Sequence, residues 1–162
     1  MRRLLLAMLV PGGLVCGQIR TEVRGTLGHA AFLDESYLNH FVVGGSARFY
    51  LTRRLSVEPE LLYMRESRRD QDWVLTPNVA FDFRRPGARV VPYVIGGPGL
   101  LRNKQTFGTW SYAANSWTVG GGVGAKIFLT DRLFVSPEVR IGTEPFFRVT
   151  GSIGYVLSRG KE

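Results

Sequence analysis

The chain has 162 residues, a length typical of one domain, and its 44% hydrophobic and 21% charged residues exclude disorder on compositional grounds. The single Cys and the two His exclude a disulfide framework and argue against a multi-histidine metal site. A formal net charge of +8 permits an anionic partner but does not identify one.

Residues 1–17 have the features of a cleaved secretory signal peptide. A short basic segment precedes an apolar run at 4–10, and Val15-Cys16-Gly17 follows. A membrane anchor would need about 20 apolar residues, and this run is much shorter. A lipoprotein signal would need a small residue before Cys16, where Val15 stands. We therefore expect cleavage after Gly17 and a mature domain over 18–162.

From Thr21 onward, apolar residues recur with a period of two, which is typical of β-strands. In the segment 40–51, for example, Phe41 and Val43 share one face, while Ser46 and Arg48 share the other. The same pattern predicts eight strands, near 21–32, 40–51, 55–64, 72–83, 89–102, 117–129, 133–142 and 147–157.

One face of each clear strand is apolar, and the other is small, polar or charged. The abundance of Gly, Ser and Thr on the polar face favours a narrow lumen over a solvated exterior. The apolar face carries aromatic residues near the strand ends, as membrane-spanning barrels do at the two interfaces. The predicted outer aromatic girdle is Phe41, Tyr63, Trp73, Trp117 and Phe147, and the inner girdle is Phe49, Phe81, Phe83, Tyr93 and Tyr155.

The connections between the predicted strands differ in length. Short turns are predicted at 52–54, 84–88 and 130–132, and these would lie at one end of the barrel. The connections at the other end would be 33–38, 66–71, 103–115 and 142–146, of which 103–115 is the longest. Short periplasmic turns and longer external loops are typical of bacterial outer-membrane barrels.

The segment 51–60 (LTRRLSVEPE) matches 129–138 (LTDRLFVSPE), four strands later. Two related half-barrels would explain this internal repeat. Convergence on common hairpin chemistry would explain it equally well.

The segments 56–63 (SVEPELLY), 91–100 (VPYVIGGPGL) and 120–126 (GGGVGAK) resemble small outer-membrane β-barrel proteins of the OmpA/OmpX-like superfamily. The resemblance covers about 20–158. It implies an all-β, eight-stranded, antiparallel, up-and-down transmembrane barrel in the cell outer membrane. Two features depart from the family pattern. Such barrels often end on an aromatic residue, whereas here a short tail follows Tyr155, and prolines interrupt several strands. The in-strand prolines, each of which removes a ladder donor, are Pro59, Pro77, Pro92, Pro98 and Pro137.

The polar face carries four bases and four acids, which we expect to form an ion-pair network that fills the lumen. They are Arg48, Lys126, Arg140, Arg148, Glu58, Glu60, Asp82 and Glu138. A narrow ion path is an alternative. Glu58 and Glu60 share a face as a glycosidase pair might, but an eight-strand lumen has no room for a sugar.

Three functional classes fit this pattern. The preferred one is a non-catalytic barrel with a structural or surface-interaction role. The second is a soluble periplasmic ligand-binding barrel. The third is a lipid-modifying outer-membrane enzyme, for which His40 and Ser46 are the candidate residues, although strand rise separates them by about 20 Å.

The expected partners are outer-membrane lipid, lipopolysaccharide near the basic external connections, and a surface partner at 103–115. That segment carries Phe107, Trp110 and Tyr112. We expect a monomer that binds no cofactor and no nucleic acid.

Overall fold

The computed structural model describes residues 19–31, 40–65, 70–84, 87–107, 110–143, 145 and 147–158. The predicted signal peptide lies outside these residues. Eight strands follow one another along the chain: β1 (Thr21–Ala31), β2 (His40–Tyr50), β3 (Leu55–Arg65), β4 (Asp70–Asp82), β5 (Val90–Phe107), β6 (Trp110–Phe128), β7 (Leu133–Gly142) and β8 (Phe147–Ser158). Over the described residues, no helix is long and apolar enough to cross a membrane.

The sheet is closed. Each strand pairs antiparallel with the next, and β8 pairs antiparallel with β1, from Thr21 opposite Ser158 to Ala31 opposite Phe147. The register shifts once in this last pair, between Thr21 and Glu22. The prediction of an eight-stranded up-and-down barrel is therefore confirmed.

The apolar face of the barrel points outward. Trp117 is 77% exposed and Ile153 is 64% exposed, whereas Arg48 and Lys126 are fully buried inside. A soluble barrel would show the reverse arrangement, because apolar side chains would then leave water for the interior. The structure thus argues against a soluble periplasmic barrel.

The two ends of the barrel differ. The end that holds both termini of the barrel also holds the connections at 51–54, 83–89 and 129–132, and we refer to it as the turn end. The opposite end, where β1 joins β2 and β5 joins β6, is the loop end. Of the connections predicted there, 33–38 and most of 66–71 lie outside the described residues.

The predicted loop at 103–115 is wrong. β5 continues to Phe107 and β6 starts at Trp110, and the two strands stay in register up to the pair Phe107–Trp110. The segment is thus a β-hairpin that continues the barrel wall at the loop end past the end of β7. The sequence of this segment is largely polar and lacks the apolar alternation of the other strands, so the period of two did not reveal the extended backbone pairing.

Prolines lie where the hydrogen-bond ladders are interrupted. The β4–β5 register skips the positions at which Pro77 and Pro98 face each other, and the β6–β7 register skips the position of Pro137. Pro59 lies opposite Pro77 in an unbroken β3–β4 ladder and within a gap in the β2–β3 ladder. Because the ladder between the two prolines is intact and those on their other sides are interrupted, they form a non-hydrogen-bonded pair whose missing donors point away from one another.

Pro92 sits just beyond Tyr93, the last β5 residue paired with β4. Its carbonyl oxygen accepts a hydrogen bond from the Phe83 N–H at 2.9 Å. The missing donor of Pro92 therefore falls at the end of a ladder, where its loss breaks little.

Two inward aromatic rings lie across from inward glycines on the next strand. Phe134 pairs with Gly154, and Tyr93 pairs with Gly124. A Cβ at Gly154 would lie 2.2 Å from Cζ of Phe134, and a Cβ at Gly124 would lie 2.5 Å from Oη of Tyr93. These glycines leave the space that each ring fills in the narrow lumen.

We therefore expect Gly154→Ala to destabilise the barrel by about 1–3 kcal/mol, because the added methyl group overlaps the Phe134 ring. Gly151→Ala on the same strand is the matched control, since a Cβ there meets nothing within 4 Å. Urea unfolding in lipid vesicles, followed by the gel shift between unboiled and boiled samples, measures both. Equal stability of the two variants would contradict the steric account.

Candidate functional site

The eight charged residues predicted for the lumen all lie inside the barrel. Their exposed fractions run from 0% to 7%. Strand alternation accounts for this placement, since each residue lies an even number of positions from other inward residues of its strand. The charges divide into three connected groups along the barrel axis.

The central group is built around Glu58. One carboxylate oxygen accepts hydrogen bonds from Arg24 and from the Ser46 hydroxyl, the latter at 2.7 Å. The other oxygen accepts a hydrogen bond from Arg48 Nε. Glu58, Arg24 and Arg48 are each at most 5% exposed. Charge-assisted hydrogen bonds of this kind are the strong ones, and they offset part of the cost of removing three charges from water.

The group towards the turn end is built around Lys126. Its ammonium lies 2.6 Å from Asp82 Oδ2 and 3.4 Å from Glu22 Oε2, and it also contacts the Tyr50 hydroxyl. Tyr50 in turn donates a hydrogen bond to Asp82 at 2.7 Å. Arg48 Nη1 reaches Asp82 Oδ1 at 3.3 Å, which joins this group to the central one.

The group towards the loop end contains two arginines and two glutamates. Arg140 lies 2.6 Å from Glu138 and 3.0 Å from Glu60. Arg148 lies 3.1 Å from Glu60 and 3.6 Å from Glu138. Each arginine thus contacts both carboxylates. Asn78 Oδ1 accepts a further hydrogen bond from Arg140 at 3.1 Å.

Tyr93 was predicted to belong to the inner girdle, and this prediction is wrong. The residue is 1% exposed and lies inside the lumen. Its hydroxyl donates to Glu138 at 2.7 Å and accepts from Arg24 at 3.0 Å, and the Arg48 guanidinium lies 4.5 Å from its ring centre. Tyr93 therefore links the central group to the group at the loop end.

Glu22 and Arg24 are lumen charges that were not predicted from the sequence. Both lie on β1, whose alternation is weak because Thr21, Gly25 and His29 interrupt the apolar face. The signal was nevertheless present, since Glu22 and Arg24 are two positions apart and so share a face. With them, the three groups contain five bases and five acids, and Arg20 at the turn end adds a sixth base through its contact with Glu22 at 2.6 Å.

An apolar cluster covers the network on one side of the loop end. Its members come from β1 to β5, and all are at most 3% exposed: Ala30, Val42, Leu62, Met64, Val74 and Leu101. On the other side, a cavity of about 40 Å³ borders Thr76, Thr118, Arg140 and Arg148. This volume is large enough for a few water molecules. The network beneath it fills the rest of the lumen with side chains.

The remaining girdle predictions fall on the outer surface of the barrel. Near the loop end the structure places Phe41, Tyr63, Trp73, Trp117 and Phe147, and near the turn end it places Phe49, Phe81, Phe83 and Tyr155. Tyr63 and Trp73 are cross-strand neighbours with ring centres 5.0 Å apart. Phe81 and Phe83 meet edge to face at 5.6 Å.

His40 and Ser46 do not contact each other. His40 is 3% exposed, and its Nε2 lies 4.0 Å from Asp72. Ser46 donates its hydrogen bond to Glu58. Among the residues that the structure describes, no group of three or more His, Cys, Asp or Glu side chains could hold a metal ion.

The outer membrane protein beta-barrel domain family has a sequence model that matches residues 18–158 of this chain. The chain belongs to this family. As an outer membrane beta-barrel domain, it lies in the cell outer membrane. Since short turns face the periplasm in bacterial outer-membrane barrels, we expect the turn end to lie on that side. No match was found among curated protein sequences.

Known structures share the fold of this outer membrane barrel at low sequence identity. The N-terminal barrel of OprF from Pseudomonas aeruginosa is 15% identical, with a TM-score of 0.73 over 87% of this chain and 99% of that one. Neisserial surface protein A is 13% identical, with a TM-score of 0.66 over 85% and 96%. Ail of Yersinia pestis is 13% identical, with a TM-score of 0.56 over 86% and 97%.

We expect Glu58→Gln to lower the free energy of unfolding by about 3–5 kcal/mol, because Arg24 and Arg48 would stay buried without their shared counter-charge. Asp131→Asn, at an exposed turn position, should change it by less than about 0.5 kcal/mol. Reversible urea unfolding in vesicles measures both. A Glu58 variant as stable as the Asp131 variant would show that the central group contributes little to stability.

Proposed function

We propose that this protein is a non-catalytic outer-membrane barrel that acts through contacts at the cell surface rather than by transport. The observation that carries the proposal is the β5–β6 hairpin, which projects past β7 and leaves one edge of β6 without a strand partner among the described residues. The filled lumen supports the same conclusion, because it leaves the outer surface as the part of the barrel available to a partner.

The exposed edge has a defined direction. β7 pairs with β6 only up to Gly120, and Val119 is the next position, where its carbonyl accepts the Thr143 N–H at 2.9 Å. Alternate residues direct their N–H and C=O groups to the same side of a strand. The backbone N–H and C=O groups of Trp117, Asn115 and Ala113 therefore point away from β5. They form the exposed edge of β6 past the end of β7.

An extended segment of a partner protein fits such an edge. Adding a strand to an exposed sheet edge satisfies a row of backbone groups at once and is a recurring mode of recognition. Arg102 pairs with Asn115 across the hairpin and is exposed. The positive charge of Arg102 favours an acidic partner segment.

Contact with lipopolysaccharide belongs to the same proposal. Arg65 and Arg102 are exposed near the loop end, at the level where anionic head groups begin. Arg68 and Arg69 lie outside the described residues. Ail, which shares only the fold, has a structure in complex with the heparin analogue sucrose octasulfate. We also propose that the protein is a monomer.

A photo-crosslinking residue at Asn115 in intact cells tests the surface contact. We expect a discrete protein adduct in the wild-type background that disappears with Ala113→Pro, because proline removes the donor on the exposed edge. Ala113→Val keeps that donor and should keep the adduct. Either the absence of any adduct or an adduct of equal yield in the proline variant would contradict the proposal.

Conductance tests the filled lumen. Purified protein in a planar lipid bilayer should give no stable current steps, because charged and aromatic side chains occupy the cross-section of the barrel. Glu58→Gln should increase leak current relative to Asp131→Asn, since Arg24 and Arg48 lose the group that holds them across the lumen. Stable unitary currents from the wild-type protein would instead favour an ion path.

A further inference from the structure

The two repeated turns at the turn end have the same backbone geometry. In the β2–β3 turn, the N–H groups of Leu51 and Thr52 donate to the Leu55 carbonyl at 2.9 and 3.1 Å. In the β6–β7 turn, Leu129 and Thr130 donate to Leu133 at the same two distances. The threonine hydroxyl in each turn accepts the N–H three residues later, at 2.9 and 3.0 Å.

The two turns also connect to the next strand in the same way. The Arg54 carbonyl accepts the Asp82 N–H at 2.8 Å, and the Arg132 carbonyl accepts the Val156 N–H at 2.8 Å. An exposed aromatic ring lies on the strand beside each turn, because Leu55 pairs with Phe81 and Leu133 pairs with Tyr155.

The two turns differ in charge. Arg53 and Arg54 are both exposed in the first turn, which has no acidic residue. In the second turn Asp131 takes the place of Arg53, so that its carboxylate offsets the charge of Arg132. The first turn therefore presents two guanidinium groups on a hydrogen-bonded turn, and the second presents a neutral pair on a turn with the same hydrogen bonds.

The first turn also forms a cleft. Thr52, Arg53, Arg54 and Phe81 line it. Phe81 is 37% exposed and belongs to the ring of outward aromatic residues at the turn end, the end that we expect to face the periplasm. The cleft thus has two cations on its water side and an aromatic wall on its lipid side.

We propose that this cleft binds the head group of an anionic phospholipid of the periplasmic leaflet. Two guanidinium groups suit the oxygens of a phosphodiester, and Arg is the side chain best shaped for such contacts. The Phe81 ring would lie along the upper part of an acyl chain. This apolar wall favours a phospholipid over a free phosphate ion, because the ion has no apolar part that could contact the ring.

Native mass spectrometry tests the site. The purified barrel is mixed in detergent with phosphatidylglycerol or phosphatidylcholine, and the bound lipids are counted over a range of concentrations. We expect one phosphatidylglycerol to bind preferentially to the wild-type protein. Arg53→Gln combined with Arg54→Gln should weaken that binding about thirty-fold, if each Arg near the surface contributes about 1 kcal/mol.

The second turn supplies matched controls. Arg132→Gln should leave phosphatidylglycerol binding unchanged, because that turn is neutral in the wild-type protein. Asp131→Arg should add a second bound phosphatidylglycerol, because it recreates the charge of the first turn beside Tyr155. The heat-dependent gel shift confirms that each variant remains a folded barrel.

Three results would overturn the proposal. One is undiminished phosphatidylglycerol binding by the Arg53/Arg54 double variant. Another is an equal loss with Arg132→Gln, which would indicate a diffuse response to charge that includes the exposed Arg84 and Arg89. The third is displacement of the lipid by an equal concentration of inorganic phosphate, which would assign the cleft to the ion alone.

Discussion

The hydrocarbon core of a membrane offers no hydrogen-bond partner to the backbone, and the rest of this structure follows from that constraint. An open sheet would expose unpaired N–H and C=O groups to lipid, so the strands must close on themselves. Closure by eight strands creates an interior only wide enough for side chains. Outward positions must then be apolar, and every charge within the membrane must face inward, where it needs an opposite charge beside it.

The lumen meets that demand through shared contacts rather than through isolated pairs. Glu58 accepts hydrogen bonds from two arginines, and Glu60 and Glu138 each form ion pairs with both Arg140 and Arg148. Tyr93 connects the groups because its hydroxyl both donates and accepts. Shared partners of this kind satisfy more of the buried donors than separate pairs would, and they place the side chains of several strands in one arrangement.

The strand alternation was enough to predict the fold and the position of most lumen charges, because a period of two assigns each residue to a face. It failed for Tyr93 because β5 is apolar on both faces, with Val91 and Ile95 inside and Val90 and Val94 outside. In that strand the deciding feature is Gly124 on β6, opposite Tyr93. Which residues lie opposite each other depends on register, and alternation within a single strand does not contain that information.

The sequence separation of the ion-pair partners has a consequence for assembly. Glu22 and Lys126 are 104 residues apart, and Glu60 and Arg148 are 88 residues apart. A single hairpin that entered the bilayer alone would therefore carry charges whose partners were still in water. The cost of a lone charge in hydrocarbon falls only when distant strands arrive together. Insertion of this barrel should accordingly be concerted, with the sheet largely formed before its charges pass the middle of the membrane.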